Sequence, residues 1–274
     1  VALIGSICTA LTLTIGVPVG RAIEIFGYRG VALGGSVLFS GSLVGAGFCH
    51  TVPTLLVTQG ILNGIGAGIL FIPATTAPAQ WFLKRRSLSI GLSSAGAGVG
   101  GIFWSFIIRA IIARFGYQWA LWSSACISAF INGIALCLLK TRPMPSSLKQ
   151  SSIWSALILF KDPKFITLYC ASCLSVFGYM VPFYFVPTYA QTQLQSSPLV
   201  GSILSAVLDI GMVFGRIILG LAADSKLGTM NSIVSGMALA GICQFALWIP
   251  SSSSLPLLYI FSFSYGLLGG GYIG

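Results

Sequence analysis

Long apolar runs separated by short polar stretches repeat along the whole chain. A bilayer core of about 30 Å is crossed by roughly 20 apolar helical residues. Nine runs approach that length, at about residues 2–20, 31–49, 54–79, 88–113, 118–139, 165–190, 199–222, 230–249 and 255–274. They predict an all-α, polytopic membrane protein. The first run has no basic leader and the chain does not begin with Met, so it reads as a span rather than a signal peptide. Both ends of the sequence read as cut.

Composition excludes the main alternatives. Of 274 residues, 56% are hydrophobic and only 7% charged, against roughly 25% charged in a soluble domain. A soluble enzyme, a disordered chain and a disulfide-stapled module are all ruled out. The formal charge of +10 does not imply nucleic acid, because the bases sit between the apolar runs instead of on one solvated face. Eleven Lys and Arg fall in the loops after the first, third, fifth and seventh runs, and only Arg114 in the opposite loops. That bias predicts that the basic loops are cytoplasmic; it does not select the membrane, and the plasma membrane is a separate expectation. The seven cysteines lie mostly inside apolar runs, Cys170 and Cys173 included, and read as packing residues. With one histidine and no metal-ligand cluster or HExxH, neither an enzyme nor a bound metal or cofactor is expected.

One stretch reads as a linker. Residues 141–164 are rich in Ser, Pro and Lys, with an amphipathic segment near 153–160 suited to the membrane surface. It divides the chain into an N-terminal bundle, 1–140, and a C-terminal bundle, 165–274.

The loop after the first run reads GRAIEIFGYRG, with Gly20, Glu24, Gly27 and Arg29 in order. The loop after the seventh run reads GLAADSKLG, with Gly220, Asp224 and Gly228. In each, the first glycine permits close helix approach and the acid can meet a helix N-terminus or a base. The second glycine permits a tight turn. A weaker echo links Gly60, Gly64 and Gly68 to Gly266 and Gly270. A repeat of six spans implies two six-helix halves. Nine of twelve helices are then present, with one expected before residue 1 and two beyond residue 274.

This repeated loop resembles the signature loop of the major facilitator superfamily. QWFLKRRSLSIGLSSAGAGVGG (residues 80–101), TQGILNGIGAGILFIPA (58–74) and GRIILGLAAD (215–224) are similar to the monocarboxylate-transporter-like branch, especially its fungal members. The resemblance implies a helical-bundle secondary transporter of a small, anionic solute, proton-coupled and working by alternating access. Riboflavin-like vitamins or secondary metabolites are alternative solutes, and a truncated, non-transporting relic is the other alternative.

Charges at membrane depth mark a solute or ion pathway. Asp209 lies about thirteen residues from the inner end of its run, and Arg216 lies two turns on, on the same face. Arg216 is the candidate for an anionic group and Asp209 for the coupled proton; the alternative is a neutral Asp209 hydrogen-bonded between helices and an Arg216 that snorkels to the inner surface. The spacing favours a bridging water or solute over a direct pair. Gln59 and Asn63, one turn apart, are candidates for the cavity wall or for helix–helix bonding. Pro182 and Pro187 are expected to break the sixth span; with Tyr179, Phe183, Tyr184 and Tyr189 the segment reads either as an outer gate or as a static kink with an aromatic belt at the interface. The glycines at 91, 96, 98, 100 and 101 read as close-packing surfaces.

Overall fold

The computed structural model describes residues 2–82, 84–140 and 158–270, and all regular structure among them is helical. Most of the linker at 141–164 and of the amphipathic segment at 153–160 therefore lies outside the described residues, as does the end of the last run.

The chain opens with α1 (Ala2–Thr14) and α2 (Gly16–Gly47). Then α3 (Val52–Leu55), a π-helical turn (Leu56–Leu62) and α4 (Asn63–Ala79) form one continuous rod. It is followed by α5 (Arg86–Phe115), α6 (Tyr117–Leu138), α7 (Pro163–Thr192), α8 (Pro198–Ala223), α9 (Thr229–Cys243) and α10 (Leu255–Gly269). Among the described residues, seven helical rods are long and apolar enough to cross a membrane. Two shorter apolar helices, Leu3–Thr14 and Leu255–Gly269, accompany them.

Local chemistry sets the boundaries. Pro163 and Pro198 open α7 and α8 at positions where a missing N–H costs nothing. The Asp162 carboxylate caps α7 by accepting the Lys164 N–H at 3.0 Å. Gly27 divides α2 into two helical stretches, with φ 73° and ψ 166°. Gly228 precedes α9 with nearly the same angles, φ 78° and ψ 161°. This backbone region is essentially closed to residues with a Cβ. The second glycine of each repeated loop therefore makes the same turn.

Contrary to the expected interruption, α7 runs unbroken through Pro182 and Pro187. Each proline removes one backbone bond, and packing against neighbouring helices compensates. Pro182 is fully buried, on one face with Tyr179, Val186 and Ala190.

The chain forms two compact units, one from residues 1–80 with 108–159 and one from 81–107 with 160–274. The core of the first is built on Val19, Ile23, Tyr28, Val31 and Ala77. That of the second centres on Val186, Leu204, Leu258, Phe261 and Tyr265. The same packing device recurs in both. A Cβ on Gly64 would meet the Cys8 carbonyl oxygen at 2.8 Å, and one on Gly68 the Thr12 oxygen at 2.9 Å. In the second unit, a Cβ on Gly266 would meet the Met212 amide nitrogen at 3.1 Å, and one on Gly270 the Met212 Cα at 2.8 Å. Thr12 and Met212 are 200 residues apart, the spacing of Gly20 and Gly220. The third span thus presses a glycine stripe on the first as the ninth does on the seventh, so the sequence repeat is also a repeat of backbone packing.

Candidate functional site

Helix α8 carries two side chains whose burial in a lipid-facing bundle demands an explanation. Gly211 and Gly215 bring one of its faces against α10, backbone to backbone. The adjoining face lies on α5. There Gly91, Ser94, Ala95 and Gly98, spaced three and four residues apart, form a buried stripe of small residues. A Cβ on Gly91 would strike the Arg216 carbonyl oxygen at 2.5 Å, and one on Gly98 the Asp209 carbonyl oxygen at 2.9 Å. Of the five glycines read as packing positions, Gly91, Gly98 and Gly101 fill that role. Around Gly96 and Gly100 there is open space among the described residues.

Arg216 is 7% exposed. Its Nε donates to the Gly270 carbonyl of the α10 cap at 3.2 Å, and its Nη1 donates to the Ser94 carbonyl of α5. The Tyr179 phenol of α7 also interacts with the guanidinium, and the Tyr265 hydroxyl donates to the Tyr179 carbonyl at 3.1 Å. One guanidinium therefore ties α8 to three other helices through neutral partners. Asp209 is half-buried. Its carboxylate lies over Gly101, where a Cβ would meet Oδ2 at 2.5 Å. Among the described residues it accepts no hydrogen bond, and it influences Arg216 only through space. The two charges thus share a face, as the spacing predicts, without pairing directly. The sequence reading missed Ser94 and assigned Tyr179 to a gate.

Of the aromatic residues assigned to that gate, Tyr179, Phe183 and Tyr189 belong to a packed column completed by Tyr265, Phe261 and Trp248. Tyr179 and Phe183 have ring centroids 5.1 Å apart, and Phe183 meets Tyr265 at 6.4 Å. Phe261 stacks on Tyr265 at 5.5 Å and on Trp248 at 5.3 Å, and Tyr189 abuts Trp248.

In the first unit, Asn63 is buried. Its Nδ2 donates to Ser42 Oγ at 3.0 Å, and its Oδ1 faces the Cys8 thiol at 3.6 Å. It therefore bonds three spans together. Gln59 sits half-buried inside the π-helical turn, whose i→i+5 bonding puts more residues in each turn and so changes its register with Asn63.

The repeated loops differ in what their acids meet. Asp224 accepts the backbone N–H groups of Ser87 at 3.1 Å and Leu88 at 2.9 Å, capping the first turn of α5. Gly220 permits this approach, since a Cβ there would lie 3.1 Å from the Ser87 oxygen. Partial desolvation pushes the Asp224 pKa up, but the Leu88 and Ser87 hydrogen bonds and the Arg85 charge outweigh it and hold the carboxyl below its ordinary range. Glu24 instead pairs with Arg21 on its own helix. A Cβ on Gly20 would meet no described residue within 4 Å. The Arg29 Nε donates to the Leu139 carbonyl at 2.7 Å, closing the end of α6.

Asp224→Ala is expected to lower stability by about 0.5–2 kcal/mol, the usual value of a helix cap. Because the folded pKa is depressed, this contribution is present above about pH 4, the unfolded value, and disappears as pH falls through the folded pKa. Thermal melts of both proteins against pH should show the gap in Tm closing on acidification; a pH-independent gap would remove the carboxylate from the cap.

The profile of the Major Facilitator Superfamily matches residues 1–274. The chain belongs to this superfamily. It is 31% identical over 256 residues to the MFS transporter asaE of Aspergillus flavus, covering 93% of this chain and 57% of that protein. It is 28% identical over 250 residues to the fujikurins efflux protein of Gibberella fujikuroi, covering 90% and 53% respectively. The chain thus spans little more than half the length of these relatives. Its fold also matches the crystal structure of a D-xylose–proton symporter, with a TM-score of 0.56 and 18% identity, over 98% of this chain and 70% of that one. These likenesses identify a multi-pass membrane protein of a transporter superfamily with fungal relatives.

Proposed function

We propose that this protein is a secondary transporter that moves a small organic solute with an anionic or electron-rich group, coupled to protons. One observation carries the reading. Among the described residues, a buried guanidinium at membrane depth is hydrogen-bonded only to neutral groups, with an unbonded carboxylate two turns away on the same face. Isolated charge in a bilayer is costly and is retained where it serves a pathway. Arg216 supplies donors to the solute, and Asp209 takes up the proton. Loading both together limits the net charge carried across the bilayer. Gln59 lines the path, while Asn63 holds its helices in register.

Movement follows alternating access, with the halves 1–140 and 165–274 working about the linker 141–164. Gly20, Glu24, Gly27 and Arg29 form one switch loop, and Gly220, Asp224 and Gly228 the other. Pro182 and Pro187 allow α7 to flex at its outer part. The basic loops face the cytoplasm, and the membrane is the plasma membrane. The resemblance in sequence favours a monocarboxylate. The efflux name of the Gibberella relative favours a wider range of fungal small molecules, and the Arg216 site suits acids from either group.

The test is uptake by proteoliposomes holding the full chain, across labelled carboxylates, larger organic acids and their neutral amides, with and without an inward proton gradient. Acids should be accelerated by the gradient and the amides should not. Asp209→Asn should lose that acceleration by at least about tenfold, corresponding to about 1.4 kcal/mol, while solute exchange without a gradient persists. Gradient-driven uptake unchanged in Asp209→Asn would overturn the proton role.

A further inference from the structure

Helix α8 grips α5 at three heights in antiparallel register. The Asp209 carboxylate lies over Gly101, Arg216 donates to the Ser94 carbonyl, and Asp224 caps the N–H groups of Ser87 and Leu88. The outermost is a packing contact and the innermost a helix cap. Only the middle one joins a solute-binding group to the partner helix.

We propose that Arg216 is a strap between α5 and α8 that the solute's anionic group releases by competing for the same N–H donors. This deepens the proposed function and rests on Arg216 being the solute's ligand.

The chemistry favours exchange. A backbone carbonyl is a neutral acceptor, and a charge-assisted hydrogen bond to a carboxylate is roughly twice as strong. Arg216 has five N–H groups in a planar fork. Nε is engaged by Gly270 and Nη1 by Ser94. A carboxylate binding two-pronged across the guanidinium end must share or take the Nη1 donor. The Nε bond to α10 can persist, so the guanidinium stays fixed in α8 while its hold on α5 loosens. Gly91, Ser94, Ala95 and Gly98 present no side chain large enough to interlock with α8. Beside this seam, Ser87, Ile90, Gly91, Leu219, Gly220 and Ala223 border a cavity of about 120 Å³. The sequence repeat assigns the fourth and seventh spans to different six-helix sets, and residues 81–107 pack in one compact unit with α8, so loosening this seam is how binding would free the fourth span to move.

The experiment uses the full chain in membrane vesicles, with its seven native cysteines replaced by serine and new ones at Ile90→Cys and Ala223→Cys, both bordering that cavity. The rate of cross-linking by a short bifunctional thiol reagent reports closure of the seam. Sodium benzoate is the probe anion and benzamide its neutral control. Arg216→Gln should cross-link several-fold more slowly than the parent, with no response to benzoate. The parent itself should slow with benzoate and not with benzamide, a measurement that needs no Arg216 variant to fold. Equal cross-linking in the parent and a monodisperse Arg216→Gln protein would overturn the strap, even if Arg216→Gln has lost uptake and Arg216 remains the solute's ligand. Slower cross-linking in Arg216→Gln with normal uptake would leave a contact that the solute does not release, and would overturn both the proposal and the solute-binding role of Arg216.

Discussion

Arg216→Ala is expected to lower transport of an anionic solute by about 30- to 1,000-fold, the rate equivalent of roughly 2–4 kcal/mol. Truncation removes the positive charge and the fork that can grip a carboxylate with two parallel bonds. It also leaves the carbonyls of Ser94 and Gly270 without their side-chain donor. A fall in Tm should therefore accompany the loss of transport. Arg216→Lys separates the two effects. It keeps the charge but offers a single ammonium, which cannot reach α5 and α10 together from one position. It should recover part of the anion uptake while remaining less stable than the parent. Initial uptake rates for an acid and its amide, at equal amounts of monodisperse protein, provide the check. Parent-level acid uptake in Arg216→Ala would end the assignment of this residue to the solute.

The parts of the fold set by bulk solvent preference were legible in the sequence. Apolar runs of span length mark the helices because lipid accepts little else. The repeated loops were legible for a different reason. The backbone angles at Gly27 and Gly228 exclude side chains, so the glycines are written into the sequence at matching places. Asp224 was legible as an acid needing a partner, and helix geometry limits that partner to an N-terminus or a base. The corresponding Glu24 has the base, Arg21.

What sequence could not reveal was chiefly backbone chemistry. The oxygens that hold Arg216 belong to Ser94 and Gly270, and every residue has a carbonyl, so nothing in the residue types marks these two. Nor does composition show which glycines of α5 face α8. Gly96 and Gly98 look alike until the register of two helices is known. The π-helical turn at Leu56–Leu62 shifts Gln59 without a residue pattern to announce it. The prolines of α7 misled because proline is read as a breaker, whereas packing preserved the helix across Pro182.

Gly215→Val is expected to prevent assembly of the second unit altogether. A Cβ at this position would lie 2.7 Å from the Leu267 carbonyl carbon and 3.0 Å from its Cα. Overpacking against side chains typically costs about 1–3 kcal/mol because they rotate away. The obstacle here is the backbone of α10, which can yield only if the whole helix moves. That movement would also draw Gly266 off α8 and open the core formed by Leu204, Leu258 and Phe261. The loss should exceed about 4 kcal/mol, the range reached by only a few mechanisms, against a total stability of roughly 5–15 kcal/mol. Gly100→Val offers the comparison within the same unit, because a Cβ there meets nothing within 4 Å. Fluorescence-detected size exclusion of both variants should give an aggregated Gly215→Val and a monodisperse Gly100→Val. A monodisperse Gly215→Val with an unchanged Tm would mean that α8 and α10 do not touch backbone to backbone.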